Sequence, residues 1–120
     1  MTDVPKARPA STVVLLRDTD NGMETLMLRR NKALMFAGGL WVFPGGKLEE
    51  PDRVCHEDGS TDILASAARA AAREASEETS LEVDASSLIL LSHWMPPASE
   101  VQRRGGKGFS TFFFVAQHPG

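Results

Sequence analysis

Arg73-Glu74-Ala75-Ser76-Glu77-Glu78 closes an alanine-rich run and places three acids at i, i+3 and i+4. On a helix, at about 100° per residue, they share one face within roughly 100°. Stability alone gives no reason for them. Glu74 and Glu78 form a like-charge i,i+4 pair, which costs a few tenths of a kcal/mol. All three lie in the last turns, where the helix dipole favours cations instead. A divalent cation reverses both penalties, and carboxylate oxygens suit a hard cation such as Mg²⁺.

The helix carrying this face starts near Ser60, Thr61 or Asp62, any of which can serve as N-cap, and runs to about Thr79. Leu64, Ala68, Ala71, Ala72, Ala75 and Thr79 form a stripe of mostly small residues beside the acids. That stripe is read as the core side, able to lie close to a sheet.

Strands flank the helix. Ala10 to Arg17, with Val13-Val14-Leu15-Leu16, reads as a buried strand. Asp18 to Gly22 reads as a turn with Asn21-Gly22 as its hairpin signal, and Glu24 to Arg30 as the returning strand. Leu40 to Phe43 is a short strand that Pro44-Gly45-Gly46 ends as a turn, and Lys47 to Glu50 resumes it briefly. Pro51 to Ser60 is polar and aperiodic, hence a surface loop. Ser87 to Trp94 and Phe109 to Gln117 read as buried strands, separated by a loop holding Glu100, Arg103, Arg104 and Lys107 among glycines.

The chain has 120 residues, 42% hydrophobic and 24% charged, which bounds it to one globular domain. Residues 1–9 read as a loose lead-in and 10–120 as the domain. A formal charge of −3 gives no reason to expect nucleic acid or a membrane surface as partner. One cysteine, Cys55, excludes an intrachain disulfide and fits a reducing cytoplasm. No apolar run approaches a membrane span or a signal-peptide core. The Gly105-Gly106-Lys107-Gly108 run lacks P-loop spacing, and Cys55, His56, His93 and His118 lack zinc-ligand spacing. Trp41 and Trp94 are read as core or rim residues.

Together these residues resemble the Nudix hydrolase family. Its signature is Gly, five residues, Glu, seven residues, then Arg-Glu-aliphatic-x-Glu-Glu-x-Gly-aliphatic. Arg73-Glu74-Ala75-Ser76-Glu77-Glu78-Thr79-Ser80-Leu81 matches the second half, and Phe43 to Asp52 matches the first. Three positions depart from the pattern. Asp52 stands where the box has Glu. Twenty residues, not seven, separate Asp52 from Arg73, so the loop carries thirteen more. Ser80 replaces the glycine that ends the helix in a left-handed conformation, at a cost of about 1 kcal/mol. A branch with a long insertion includes coenzyme A diphosphatase-like proteins, and Trp94-Met95-Pro96-Pro97 with Arg103-Arg104 resembles that branch more weakly.

The resemblance implies an α+β fold, an α/β/α sandwich with a mixed sheet, and Mg²⁺- or Mn²⁺-dependent hydrolysis of a diphosphate in a small-molecule nucleotide derivative, coenzyme A included. Glu74, Glu77 and Glu78 are the implied metal ligands, with Arg73 pairing Glu77 and orienting the acids. Gly45 and Gly46 are implied to let backbone approach metal or phosphate; Arg103 and Arg104 read either as part of a solvated loop or as contacts to phosphate. A sheet with one helix leaves one face to cover: either a partner is expected to cover it, a second copy of the chain included, or the chain is expected to lack a C-terminal helix that its fold normally has. The alternatives are a non-catalytic nucleotide-binding or interaction module on the same scaffold, and an incomplete fragment.

Overall fold

A long strand forms the spine of the sheet. β1, Arg8–Thr19, alternates side chains to the two faces of the sheet, with Ser11, Val13 and Leu15 buried on one face. Arg8 and Pro9 belong to it, so the strand starts inside the expected lead-in. The computed structural model describes residues 8–29, 39–97, 99 and 108–118.

β2, Gly22–Thr25, returns antiparallel along the second half of β1, from Thr19↔Gly22 to Leu16↔Thr25. The expected hairpin is present. Its two-residue turn is Asp20-Asn21, and Gly22 opens β2 at φ 111°, a value that favours glycine. The returning strand is not continuous as far as Arg29. It leaves β1 after the Leu26 N–H bonds the Leu15 carbonyl. Leu28–Arg29, β3, then pairs with Trp41–Val42, β4, in a separate two-stranded sheet. The cause is competition for one edge: the Val13 N–H bonds the Pro44 carbonyl, and β5, Gly45–Lys47, pairs antiparallel with Ala10 to Thr12. Gly45-Gly46 is therefore extended strand, not the turn that Pro-Gly-Gly suggests.

On the other edge β1 pairs in parallel with β7, Phe109–Gln117, from Arg8↔Phe109 to Leu16↔Gln117. β6, Ile89–Trp94, pairs antiparallel with β7 and ends the order β2-β1-β7-β6. The expectation of a buried β6 is wrong: all six residues are exposed, Ile89 at 66% and Trp94 at 57%. A continuous apolar run signals burial only when both faces are covered, and β6 is the last strand of its sheet. Trp41 is also exposed, at 62%, so neither tryptophan is core.

Helix α1, Ile63–Thr79, covers one face of the sheet. Asp62 caps it, accepting the Ala65 N–H at 3.1 Å. Ala67, Ala71 and Ala75 pack on Val13, Leu15, Phe112, Phe114 and Ala116. Their small side chains bring the helix near enough for the Ser11 hydroxyl to donate to the Ala67 carbonyl at 2.6 Å. Leu64, expected in this stripe, is 44% exposed; Ser66, Ala67 and Ala70 are buried instead. On the opposite sheet face Thr12, Val14, Leu16, Thr111, Phe113 and Val115 are half-buried. The result is an α+β arrangement of a mixed sheet with α1 on one face. No helix among the described residues is long and apolar enough to cross a membrane.

Candidate active site

α1 ends at Ser80, whose φ of 62° and ψ of 12° lie in the left-handed region. It is the one non-glycine residue with positive φ among those described. The serine thus adopts the conformation read from the sequence and bears its cost. Before it, the last two turns present Arg73, Glu74, Glu77 and Glu78 toward β5.

The close approach of β5 explains both glycines. A Cβ on Gly46 would lie 2.7 Å from the Glu74 carboxyl carbon and oxygen. A Cβ on Gly45 would lie 2.2 Å from the Ser11 carbonyl oxygen of β1. The Gly45 N–H donates to Glu78 Oε1 at 3.1 Å. Gly46 therefore admits the Glu74 carboxylate to the strand backbone, while Gly45 lets β5 lie against β1 and offers its N–H to Glu78.

Arg73 is the centre of the polar network. Its Nε and Nη2 donate to the two oxygens of Asp52 at 2.8 and 2.9 Å, a two-pronged pair. Nη1 lies 3.0 Å from Glu74 Oε1 and donates to Glu77 Oε2 at 3.1 Å. The Arg73–Glu77 contact is the i,i+4 pair expected from the sequence. The stronger contact is Asp52, which the sequence placed in a surface loop. Asp52 is 2% exposed, at the end of a 3₁₀ turn over Glu50–Asp52, and its Oδ2 also accepts the Glu49 N–H at 2.9 Å. The hydrogen bonds from Arg73 hold its carboxyl below the usual aspartate range, against burial, which pushes it up. The same pair raises Arg73 above its ordinary value. Position in the signature box was the available signal for Asp52.

The loop 51–60 is largely exposed, as expected, apart from Asp52, and with Thr61 and Asp62 it closes as a short hairpin. Cys55 bridges Thr61, the Asp62 N–H bonds the Val54 carbonyl at 2.8 Å, and the His56 N–H bonds the Ser60 carbonyl at 2.8 Å.

Electrostatically, one guanidinium faces Asp52, Glu74 and Glu77 within hydrogen-bonding distance, leaving two negative charges in excess, with Glu78 beside them on Gly45. The donors are all carboxylate oxygens, as a hard divalent cation requires. They are not drawn together around one point: Glu74 and Glu77 turn to Arg73, and Glu78 to Gly45. Among the described residues no three His, Cys, Asp or Glu side chains converge closely enough to hold a metal ion. A cation on this face competes with Arg73 for Glu74 and Glu77; Glu77, 60% exposed, is the freer of the two. Glu100, Arg103, Arg104 and Lys107 lie outside the described residues.

The fold is similar to several solved structures. A Nudix hydrolase from Alicyclobacillus acidocaldarius superposes with a TM-score of 0.70 at 23% identity, over 99% of this chain and 72% of that one. A MutT/nudix family protein from Enterococcus faecalis gives 0.70 at 17% identity, over 98% and 39%. The T. brucei MERS1–GDP complex gives 0.67 at 22% identity, over 95% and 33%. This chain thus spans under half the length of the last two. No curated protein matches it. The sequence model of the NUDIX domain matches residues 6–120, nearly the whole chain, and the chain belongs to the Nudix family.

Proposed function

We propose that the chain hydrolyses nucleoside diphosphates linked to another moiety, using Mg²⁺ or Mn²⁺ and water. The observation that carries this reading is the excess of carboxylate over guanidinium on the α1 face that meets Gly45 and Gly46 of β5. A diphosphate is itself anionic, so such a face repels it without a bridging cation. Glu74, Glu77 and Glu78 would hold that cation, which would neutralise phosphate charge and would polarise the phosphorus.

Arg73 has the positioning role. Anchored on buried Asp52, it holds Glu74 and orients Glu77 through its other prong. A carboxylate of this face takes the proton from the attacking water. Arg103 and Arg104 are assigned to the substrate's phosphates on the sequence alone. Coenzyme A is the first substrate to test, because the long insertion resembles that branch.

A Mg²⁺- and Mn²⁺-dependent hydrolysis screen over coenzyme A, ADP-ribose, dinucleoside polyphosphates and nucleoside triphosphates tests the reading. Cation-dependent release of a nucleoside 5′-phosphate, carrying also its 3′-phosphate in the case of coenzyme A, supports it. Binding of these compounds without turnover supports a second reading, a nucleotide-binding module without catalysis. The observation favouring that second reading is the engagement of Glu74 and Glu77 by Arg73 rather than with one another.

A further inference from the structure

The residues between Asp52 and α1 are held at two named points. The Val54 N–H donates to the Ser66 hydroxyl at 2.8 Å, and the Val54 carbonyl accepts the Asp62 N–H at 2.8 Å. The Ser66 hydroxyl in turn donates to the Asp62 carbonyl at 2.7 Å. Ser66 is 1% exposed, on the first turn of α1. Across the hairpin, Arg53 Nε donates to the Thr61 hydroxyl at 2.8 Å, and Cys55 bridges Thr61. These bonds tie both ends of the extra segment to the start of α1.

Asp52 lies two residues before Val54. On its other side the 3₁₀ turn fixes it: the Asp52 N–H bonds the Glu49 carbonyl at 2.9 Å, and the Glu49 N–H bonds the Asp52 carboxylate. The aspartate side chain is one methylene shorter than the glutamate of the family pattern. Its two oxygens reach Arg73 only if the backbone at 52 is held near the helix. The hydroxyl of Ser66 supplies that hold from the C-terminal side.

We propose that segment 53–62 is a brace for the candidate active site, and that Ser66 is a positioning residue acting through Val54 and Asp52 on Arg73. On this view the ten residues of this segment, part of the lengthened stretch between Asp52 and Arg73, are not an ornament on the surface. They let one helix fix the acid that anchors the arginine which orients Glu74 and Glu77. The inference rests on the proposed function only for its kinetic readout.

The test uses the full chain and Ser66→Ala. The primary readout is the Arg73 Nε–H signal by ¹⁵N NMR and its exchange with solvent. In the parent chain the two-pronged pair protects this proton. Ser66→Ala should speed its exchange on the order of tenfold while the far-UV spectrum of α1 is kept. Should Ser66→Ala fail to fold, Val54→Pro carries the same comparison, since it deletes the same hydrogen bond from the loop without altering α1. Kinetically, Ser66→Ala should lower kcat on the order of tenfold with little change in KM. In a cycle with Asp52→Asn, the double variant should be no slower than Asp52→Asn alone. Unchanged Arg73 exchange in the folded variant overturns the proposal, and so does an additive kinetic cycle. A chain inactive in every form counts against the proposed hydrolysis, while the exchange measurement still decides the brace.

Discussion

Asp52 and Arg73 form a two-pronged ion pair, with bonds of 2.8 and 2.9 Å, in which the aspartate is 2% exposed and the arginine side chain 23%. The pair joins the end of the first half of the signature to the start of the second. Replacing Asp52 with Asn removes the charge and leaves Arg73 without its main anchor.

Asp52→Asn should lower stability by about 1–3 kcal/mol, the range for hydrogen bonds to charged groups, and turnover by about 10–100-fold. The pH dependence has a definite sign. The folded-state pKa of Asp52 is lowered, chiefly by hydrogen bonds from Arg73. Its contribution is therefore complete above the ordinary aspartate value of about 3.9 and disappears as pH falls through the lower folded value. Urea unfolding of the parent chain should lose stability below about pH 4, and Asp52→Asn should lose less over that interval. Parallel pH profiles for the two proteins would contradict the pair's role.

The two glycines should fail in different ways. A methyl on Gly45 meets the backbone of Ser11, which cannot retreat without breaking the β1–β5 ladder. Gly45→Ala should destabilise the fold by about 1–3 kcal/mol. A methyl on Gly46 meets the far end of the Glu74 side chain, which can swing away. Gly46→Ala should stay near parental stability and lose activity, because Glu74 is displaced. Thermal melts beside a turnover assay separate the two, and equal stability losses would contradict the assigned contacts.

How far the sequence could be read follows from the range of each interaction. The end of α1 at Thr79 is legible in the sequence and its start is bounded to three candidate caps, of which Asp62 is the one used, because caps and a periodic stripe are local signals. The pairing of Arg73 with Glu77 was legible for the same reason, being one helical turn. Gly45-Gly46 reads as a turn because Pro-Gly-Gly is a turn locally, whereas its contacts are with Ser11 and Glu74, remote in the chain. Asp52 reads as a surface residue because its neighbours are polar, and its burial depends on Arg73 and the hairpin at 53–62. β6 shows the same limit in reverse: its apolar run is intrinsic, but burial is a property of what lies beside it.

The carboxylates of α1 give a test of the site without disturbing the fold. Glu77→Gln and Glu78→Gln are nearly isosteric, and both side chains are exposed. In Glu78→Gln the new amide oxygen can still accept the Gly45 N–H, so the β5 contact survives. Each variant should unfold within about 0.5 kcal/mol of the parent, as surface substitutions do. Each should nevertheless lower Mg²⁺-dependent turnover on the order of 10²–10³-fold, as loss of a group stabilising transition-state charge does. Parental activity in both would remove the ligand assignment.

Ser80 offers the converse case, a position where the protein gives up stability. Its φ of 62° places the residue in the left-handed region at the C-terminus of α1, where its N–H bonds the Ser76 carbonyl at 2.9 Å. Glycine adopts that conformation without the steric penalty and keeps the N–H. Ser80→Gly should therefore stabilise the chain by about 1 kcal/mol, despite the greater chain entropy of glycine when unfolded. For a protein of this size that raises Tm by roughly 3–5 °C. The substitution lies two residues beyond Glu78, so turnover at fixed temperature tests whether the end of the helix also sets the carboxylates. Unchanged kcat with a raised Tm is expected, because Glu78 is tied to Gly45 independently of the cap. A lowered Tm would show that entropy outweighs the strain at this position.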